Sequence, residues 1–262
     1  MDVINGNNLV VGYKDKIVVH DMTLAFPKGK ITVLIGPNGC GKSTVLKTIG
    51  RIISPKSGSV YLDGKSIAEM NTLDIAKQMA ILPQTPVAPN GLTVGELVGY
   101  GRFPHRSSFS RMTEEDKAEI RWALTETQLL ELENRPVDSL SGGQRQRAWI
   151  AMALAQGTDT ILLAEPTTYL DLAFQLEILQ LLYKMNRKRE TSIIMVLHDL
   201  NLAARHADYM VAVKDGRIVA DGTPEEIMTR DVLRETFKID AQIILDPRTG
   251  KPTLLSYDII RD

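Results

Sequence analysis

The chain has 262 residues with 31 basic and 32 acidic side chains, a formal net charge of −1, so bulk charge gives it no affinity for nucleic acid or an anionic lipid surface. With 44% hydrophobic residues, 19 Gly and 12 Pro, the composition excludes disordered, collagenous and low-complexity classes, and the length allows one large domain or one domain with an insertion. A single cysteine, Cys40, makes neither an internal disulfide nor a zinc cluster and points to a reducing compartment; no apolar run approaches the roughly 18 residues of a membrane span, and no basic-then-apolar leader is visible.

Ile31 to Ile35 is a short run, apolar but for Thr32 and rich in β-branched residues, followed at once by Gly36, which predicts a parallel strand buried on both faces. A glycine-rich turn follows. From Lys42 the spacing of Val45, Leu46 and Ile49 predicts a helix stopped by Gly50. The Pro-rich stretch Pro83 to Gly91 punctuates the chain. Beyond it strand signals give way to three helix starts with capping-box spacing: Thr93 with Glu96, Thr113 with Asp116, and Ser141 with Gln144. The last of these opens a segment, Ala148 to Ala155, that is apolar nearly all round and therefore expected to be buried. Strand signals return at Ile161 to Leu163, Ser192 to Leu197 and Tyr209 to Val213, with helical stretches at Leu172 to Tyr183 and Leu200 to Arg205. Asp246 to Pro252 reads as a turn between two short strands. This alternation predicts an α/β core with a mostly parallel sheet, residues 1–85 and 158–262, carrying a helical subdomain at 86–157.

Gly36-Pro-Asn-Gly-Cys-Gly-Lys42-Ser43 fits the phosphate-loop pattern G-x-x-x-x-G-K-[ST] and lies between a predicted strand and a predicted helix, as that motif requires. A loop with little side-chain bulk turns backbone N–H groups toward phosphate oxygens, and the helix dipole adds to the field. Lys42 is expected to reach the β- and γ-phosphates and the Ser43 hydroxyl to ligate Mg2+. Cys40, within the loop, reads as a small space-filler. A second glycine pair stands in Leu140-Ser141-Gly142-Gly143-Gln144, where a Ser N-cap and two glycines leave N–H groups at a helix start. One chain thus carries two phosphate-binding surfaces.

Together these motifs resemble the ATP-binding cassette (ABC) transporter ATPases over nearly the whole chain. The resemblance implies an α/β fold of the P-loop NTPase (RecA-like) kind: a parallel sheet core with antiparallel N-terminal strands and an inserted α-helical subdomain. It implies two subunits dimerising head to tail, each ATP lying between the P-loop of one (Gly36, Pro37, Asn38, Gly39, Cys40, Gly41, Lys42, Ser43, Thr44) and Ser141, Gly142, Gly143 and Gln144 of the other. By the same resemblance Tyr13 stacks on adenine, Gln84 contacts Mg2+ and the attacking water, Asp171 sits at the dimer seam, and His198 touches the γ-phosphate. Glu165 polarises the attacking water as general base. Read on its own, Glu165 already follows a predicted parallel strand at the end where α/β folds place ligands, and offers the carboxylate that role needs.

Two residues depart from the family pattern. The position before the general base is normally Asp, and here it is Ala164. Outer-shell metal partners contribute about 10- to 100-fold in affinity or activity, so the expectation is a chain that binds nucleotide and hydrolyses it slowly. Phe174 stands where the subgroup usually carries His, and the sequence assigns it no role.

A single cassette without a membrane span implies a separate permease. Gly99 to His105, Trp149 to Gln156, Thr167 to Asp171 and Leu197 to Asn201 resemble the ATPases of ferric siderophore, haem and cobalamin importers, with ferric hydroxamate importers nearest. This implies ATP and Mg2+ as cofactors and a place on the cytoplasmic face of the cell membrane. The implied partners are a second copy, integral-membrane permease subunits and, indirectly, an extracellular substrate-binding protein, with no nucleic acid. Arg102, His105 and Arg106 fit a permease contact and a solvated basic loop equally well. The alternative from another class is a nucleotide-binding regulatory or structural subunit without efficient hydrolysis, against which Glu165 and His198 weigh.

Overall fold

The computed structural model describes residues 1–106, 111–168 and 170–261, and packing divides the chain into two units, Met1–Met70 with Ser192–Asp262, and Asn71–Thr191. The first unit opens with β1 (Asp2–Tyr13), β2 (Lys16–Pro27), β3 (Ile31–Ile35), α1 (Lys42–Ile49), β4 (Ser57–Leu62) and β5 (Lys65–Ser66). The second contains α2 (Thr72–Gln78), β6 (Met79–Leu82), α3 (Val94–Gly99), α4 (Glu114–Glu126), α5 (Gly142–Ala155), β7 (Thr160–Leu163) and α6 (Leu172–Arg189). The first then resumes with β8 (Ser192–Val196), α7 (Leu200–His206), β9 (Tyr209–Lys214), β10 (Arg217–Gly222), α8 (Pro224–Ile227), α9 (Arg230–Phe237), β11 (Ile239–Leu245) and β12 (Pro252–Ile259).

In the first unit β3 is buried at every residue because it runs between two parallel neighbours, β8 (Ile31↔Ile193 to Leu34↔Val196) and β9 (Thr32↔Tyr209 to Ile35↔Ala212). Two buried faces leave no place for alternation, which is why the run is apolar apart from Thr32, itself fully buried. β10 closes this side antiparallel to β9. A separate antiparallel sheet, ordered β2-β1-β4-β5, is built on the long β1–β2 hairpin. Helix α1 packs against β8 and also against β1 and β2. The turn expected between two short strands joins β11 and β12, an antiparallel pair.

In the second unit β6 and β7 pair in parallel, Met79↔Thr160 through Leu82↔Leu163, so both chains leave the pair at the same end. All three capping boxes form: Thr93 with Glu96, Thr113 with Asp116, and Ser141 with Gln144. Helix α5 packs on α3, α4 and β6, and its burial from Ala148 to Ala155, broken only at Met152, matches its all-round apolar sequence. Helix α6 runs six residues past the expected end at Tyr183, through the charged turn Lys184 to Arg189. Met185 and Asn186 remain buried in this extension, continuing the face of Ile178 and Leu182, and basic Arg187, Lys188 and Arg189 in the last turn suit a helix C-terminus.

For Arg102 itself both expectations are overturned. It is 3% exposed, its Nε donates to Asp116 Oδ1 at 2.9 Å and its Nη1 to the Ala155 carbonyl at 2.9 Å. A buried guanidinium between a carboxylate and the carbonyl end of a helix is neither a solvated loop residue nor available to a permease. His105 is exposed, and its Nε2 lies 2.8 Å from the Gln156 carbonyl. Burial alone would push the Asp116 carboxyl up. Hydrogen bonds from Thr113 and Arg102, with the Arg102 charge, outweigh it and hold the pKa at about 2. No helix among the described residues is long and apolar enough to cross a membrane.

Candidate functional site

The site residues fall into two clusters, one in each unit. The first is the loop between β3 and α1. Gly36 has φ 145, and a Cβ there would come 2.0 Å from the Val213 carbonyl oxygen, so the close approach of β9 admits glycine alone. Gly41, at the N-cap of α1, has no side chain to cap the helix, which leaves the N–H groups of the first turn to an external acceptor. Lys42 is 5% exposed. Its Nζ donates to the carbonyls of Gly36 at 2.7 Å and Pro37 at 2.9 Å and lies 3.8 Å from Cys40 Sγ. The loop thus folds around its own cation, and Cys40 is buried within it.

Two further candidates lie in the same unit as this loop. Val18 and Val19 of β2 back onto Gly41, and the hairpin that β2 forms with β1 carries Tyr13 at its exposed end, 46% accessible. His198 is exposed and follows β8, which leaves the parallel sheet at the same end as β3 and the loop.

The second cluster stands at the shared exit of β6 and β7. Gln84 Nε2 donates to Glu165 Oε2 at 2.6 Å, and Thr168 Oγ1 donates to the same oxygen at 2.9 Å. Glu165 adopts φ 58, the left-handed region, a conformation that costs a non-glycine residue energy and that recurs at functional sites. Ala164, 9% exposed, ends the strand with its N–H bonded to the Leu82 carbonyl at 2.9 Å. Asp171 caps α6, its Oδ1 accepting from the Phe174 N–H at 3.0 Å. Tyr169, within the Thr167 to Asp171 motif, lies outside the described residues. At the head of α5 Ser141 and Gln144 exchange backbone-to-side-chain hydrogen bonds, with Ser141 and Gly142 exposed and Gly143 buried.

Sequence reasoning missed Thr168 and Gln146. Thr168 closes a turn on Glu165, and Gln146 Nε2 donates to the Pro166 carbonyl at 3.0 Å. Thr168 sits three residues after the carboxylate in a Pro-containing turn, a spacing that could have flagged it. Gln146 had no local signal.

Among the described residues no group of three or more His, Cys, Asp or Glu gathers as a metal site. In the first unit the Ser43 hydroxyl, at the head of α1, is a hard oxygen donor of the kind that suits Mg2+ when phosphates and water complete its shell. The P-loop therefore fits an ion that arrives with a nucleotide.

A backbone cradle for phosphate, a helix start rich in glycine and a carboxylate held by two donors define a nucleotide-hydrolysing cassette. The family model described as ABC transporter (ABC_tran) matches residues 19–168, and the chain belongs to that family. It is an ATP-binding subunit of the transport-coupled ATPase class. The chain is 59% identical over 262 residues, 100% of its length and 97% of the relative's, to the iron(3+)-hydroxamate import ATP-binding protein FhuC of Bacillus subtilis (strain 168). It is 42% identical, over 96% of its length and 93% of the relative's, to the ferric enterobactin transport ATP-binding protein FepC of Escherichia coli (strain K12). Among solved structures it resembles a metal-chelate type ABC transporter in an inward-facing conformation, with TM-score 0.83, 26% identity, and 97% and 96% of the two chains covered. It also resembles the dimeric MJ0796, a bacterial ABC transporter cassette, with TM-score 0.75, 29% identity, and 84% and 98% covered.

Proposed function

We propose that this chain powers a bacterial importer of ferric siderophores of the hydroxamate type, working as a head-to-tail pair on the cytoplasmic side of separate permease subunits. The observation that carries the cargo class is the 59% identity to the B. subtilis FhuC along the entire chain. In this reading residues 1–85 and 158–262 form the ATP-binding core and 86–157 the helical subdomain.

Each ATP is held by the P-loop of one copy, with Tyr13 on the adenine, and by Ser141, Gly142, Gly143 and Gln144 of the other. Lys42 exchanges its loop carbonyls for β- and γ-phosphate oxygens. Glu165, aimed by Gln84 and Thr168, accepts a proton from the attacking water as its oxygen bonds the γ-phosphorus and the bond to the β-phosphate oxygen breaks. His198 contacts the γ-phosphate, and Asp171 lines the seam between copies. Ser43 and Gln84 hold Mg2+, which supplies charge neutralisation on the phosphates. Because ATP favours the closed pair and ADP does not, hydrolysis releases the clamp and lets the permease change its access.

The test is reconstitution with the permease subunits. ATP turnover is expected to rise when a binding protein loaded with a ferric hydroxamate is added. Stimulation by loaded haem or cobalamin binding proteins, and not by the ferric hydroxamate, would assign another cargo.

One observation favours a second reading. Ala164 stands where a carboxylate normally helps hold the metal, and an ATP-binding subunit with little hydrolysis follows from its absence. Single-turnover hydrolysis with Mg2+ separates the readings: product at the level of one ATP per site within seconds supports the motor, and its absence supports the regulatory subunit.

A further inference from the structure

Phe174 has no chemistry of its own, yet its ring lies on Gly143, the second glycine of the signature loop Leu140 to Gln144. A Cβ built on Gly143 would come 3.0 Å from Phe174 Cδ1, 3.1 Å from Cγ and 3.2 Å from Cε1. Near-equal distances to three adjacent ring carbons place that position over the ring face, not at its edge. Gly143 does not have a positive φ, so backbone conformation does not demand glycine. Alanine is ordinarily the better helix former, and a methyl here would require the ring to give way by a few tenths of an ångström.

Phe174 is tethered at its backbone and contacted at its ring. Asp171 caps the Phe174 N–H at 3.0 Å. Arg147, one turn beyond Gly143 on the same face of α5, holds its guanidinium carbon 5.7 Å from the ring centroid and reaches Glu177 Oε2 at 3.9 Å. Gln146 adds a bond to the Pro166 carbonyl at 3.0 Å. The start of α5 is therefore seated against the start of α6 through a flat surface backed by a charge.

We propose that Phe174 is a positioning residue for the signature loop. Its ring sets the spacing between α6 and the first turn of α5, and so the aim of the Gly142 and Gly143 N–H groups at the nucleotide held by the second copy. This rests on the head-to-tail reading above. N–H donors at a helix start are directional, so a shift of the turn by a few tenths of an ångström weakens their grip without altering the P-loop of the same chain.

The test is a double-substitution cycle on the full chain in a Glu165→Gln background, where turnover does not dissolve the pair. Sedimentation gives the ATP concentration for half-maximal association, and a fluorescent ATP analogue gives the affinity of the single copy. Gly143→Ala is expected to raise the half-point about tenfold and Phe174→Ala about threefold, with single-copy affinity unchanged. The double variant is expected to need no more ATP than Phe174→Ala alone, because the methyl then has room. Phe174→His, which keeps a flat ring, is expected to associate within about twofold of the unchanged chain. If Phe174→Ala does not fold, Phe174→Leu takes its place with the same expectation. A double variant that shows the product of the two single effects, a Gly143→Ala chain that associates normally, or a His variant as weak as the Ala variant overturns the role of Phe174. A background chain that never associates with ATP overturns the head-to-tail reading and this proposal together.

Discussion

The P-loop and the Glu165 cluster are built in opposite ways. The loop is made of backbone: Gly36 is forced by the Val213 carbonyl, and Lys42 is fastened to carbonyls five and six residues away. The Glu165 cluster is made of side chains, and one of them, Gln84, comes from 81 residues upstream. A backbone site depends on conformation and tolerates little change at its glycines, whereas a side-chain site can lose one member and keep its shape. β7 pairs with β6 through Leu163, so the place of Ala164 is set by the strand and not by its side chain.

The contrast is open to direct attack. Glu165→Gln is expected to lower turnover about 10²- to 10⁴-fold, the range for a general base, while equilibrium ATP binding stays within a few-fold. Lys42→Ala is expected to cost about 10²- to 10³-fold in turnover and, unlike Glu165→Gln, to weaken ATP binding with it; equal binding losses in both would erase the distinction. Ala164→Asp is expected to raise steady-state turnover about tenfold or more. Unchanged turnover would mean that Ser43 and Gln84 suffice for the ion.

A buried side-chain site is less forgiving than an exposed one, and Arg102 gives the measure. Arg102→Ala strands Asp116 without its partner, and thermal or urea unfolding is expected to show a loss of about 3–5 kcal/mol. The pH dependence follows from the depressed Asp116 pKa. The pair's contribution is complete above about pH 4, where the unfolded carboxyl is also ionised, and it is lost as pH falls toward the folded value of about 2. Arg102→Ala should flatten the stability curve in that window. The smallest effect is expected from Thr168→Val, which removes one hydrogen-bond donor to Glu165; a net hydrogen bond of about 1 kcal/mol corresponds to a few-fold loss of turnover.

The same division explains what could be read from the sequence. The loop was legible because strand, glycines, lysine and helix are contiguous, and β3 and α1 occur where the apolar run and the Gly50 stop place them. The three capping boxes were legible for the same reason, each being a four-residue device. Gln84 with Glu165 was reachable only through the family resemblance, because parallel pairing of β6 with β7 brings them together. Arg102 was misread since its neighbours Phe103 and His105 are exposed, and its partners lie 14 and 53 residues away. Phe174 was silent because what it touches is a glycine on another helix.

Arg102 sits at the far end of the helix that begins with the signature glycines. Helix α5 has 14 residues, about 21 Å at 1.5 Å per residue, with the guanidinium gripping its last carbonyls and a ring bearing on its first turn. It is supported as a beam with a pivot at one end and a stop at the other. A tilt of about 3° at the pivot would carry the tip about 1 Å, and a misplacement of that size can cost about a hundredfold in rate. A change of angle at the buried ion pair would therefore be magnified at the glycines about 21 Å away.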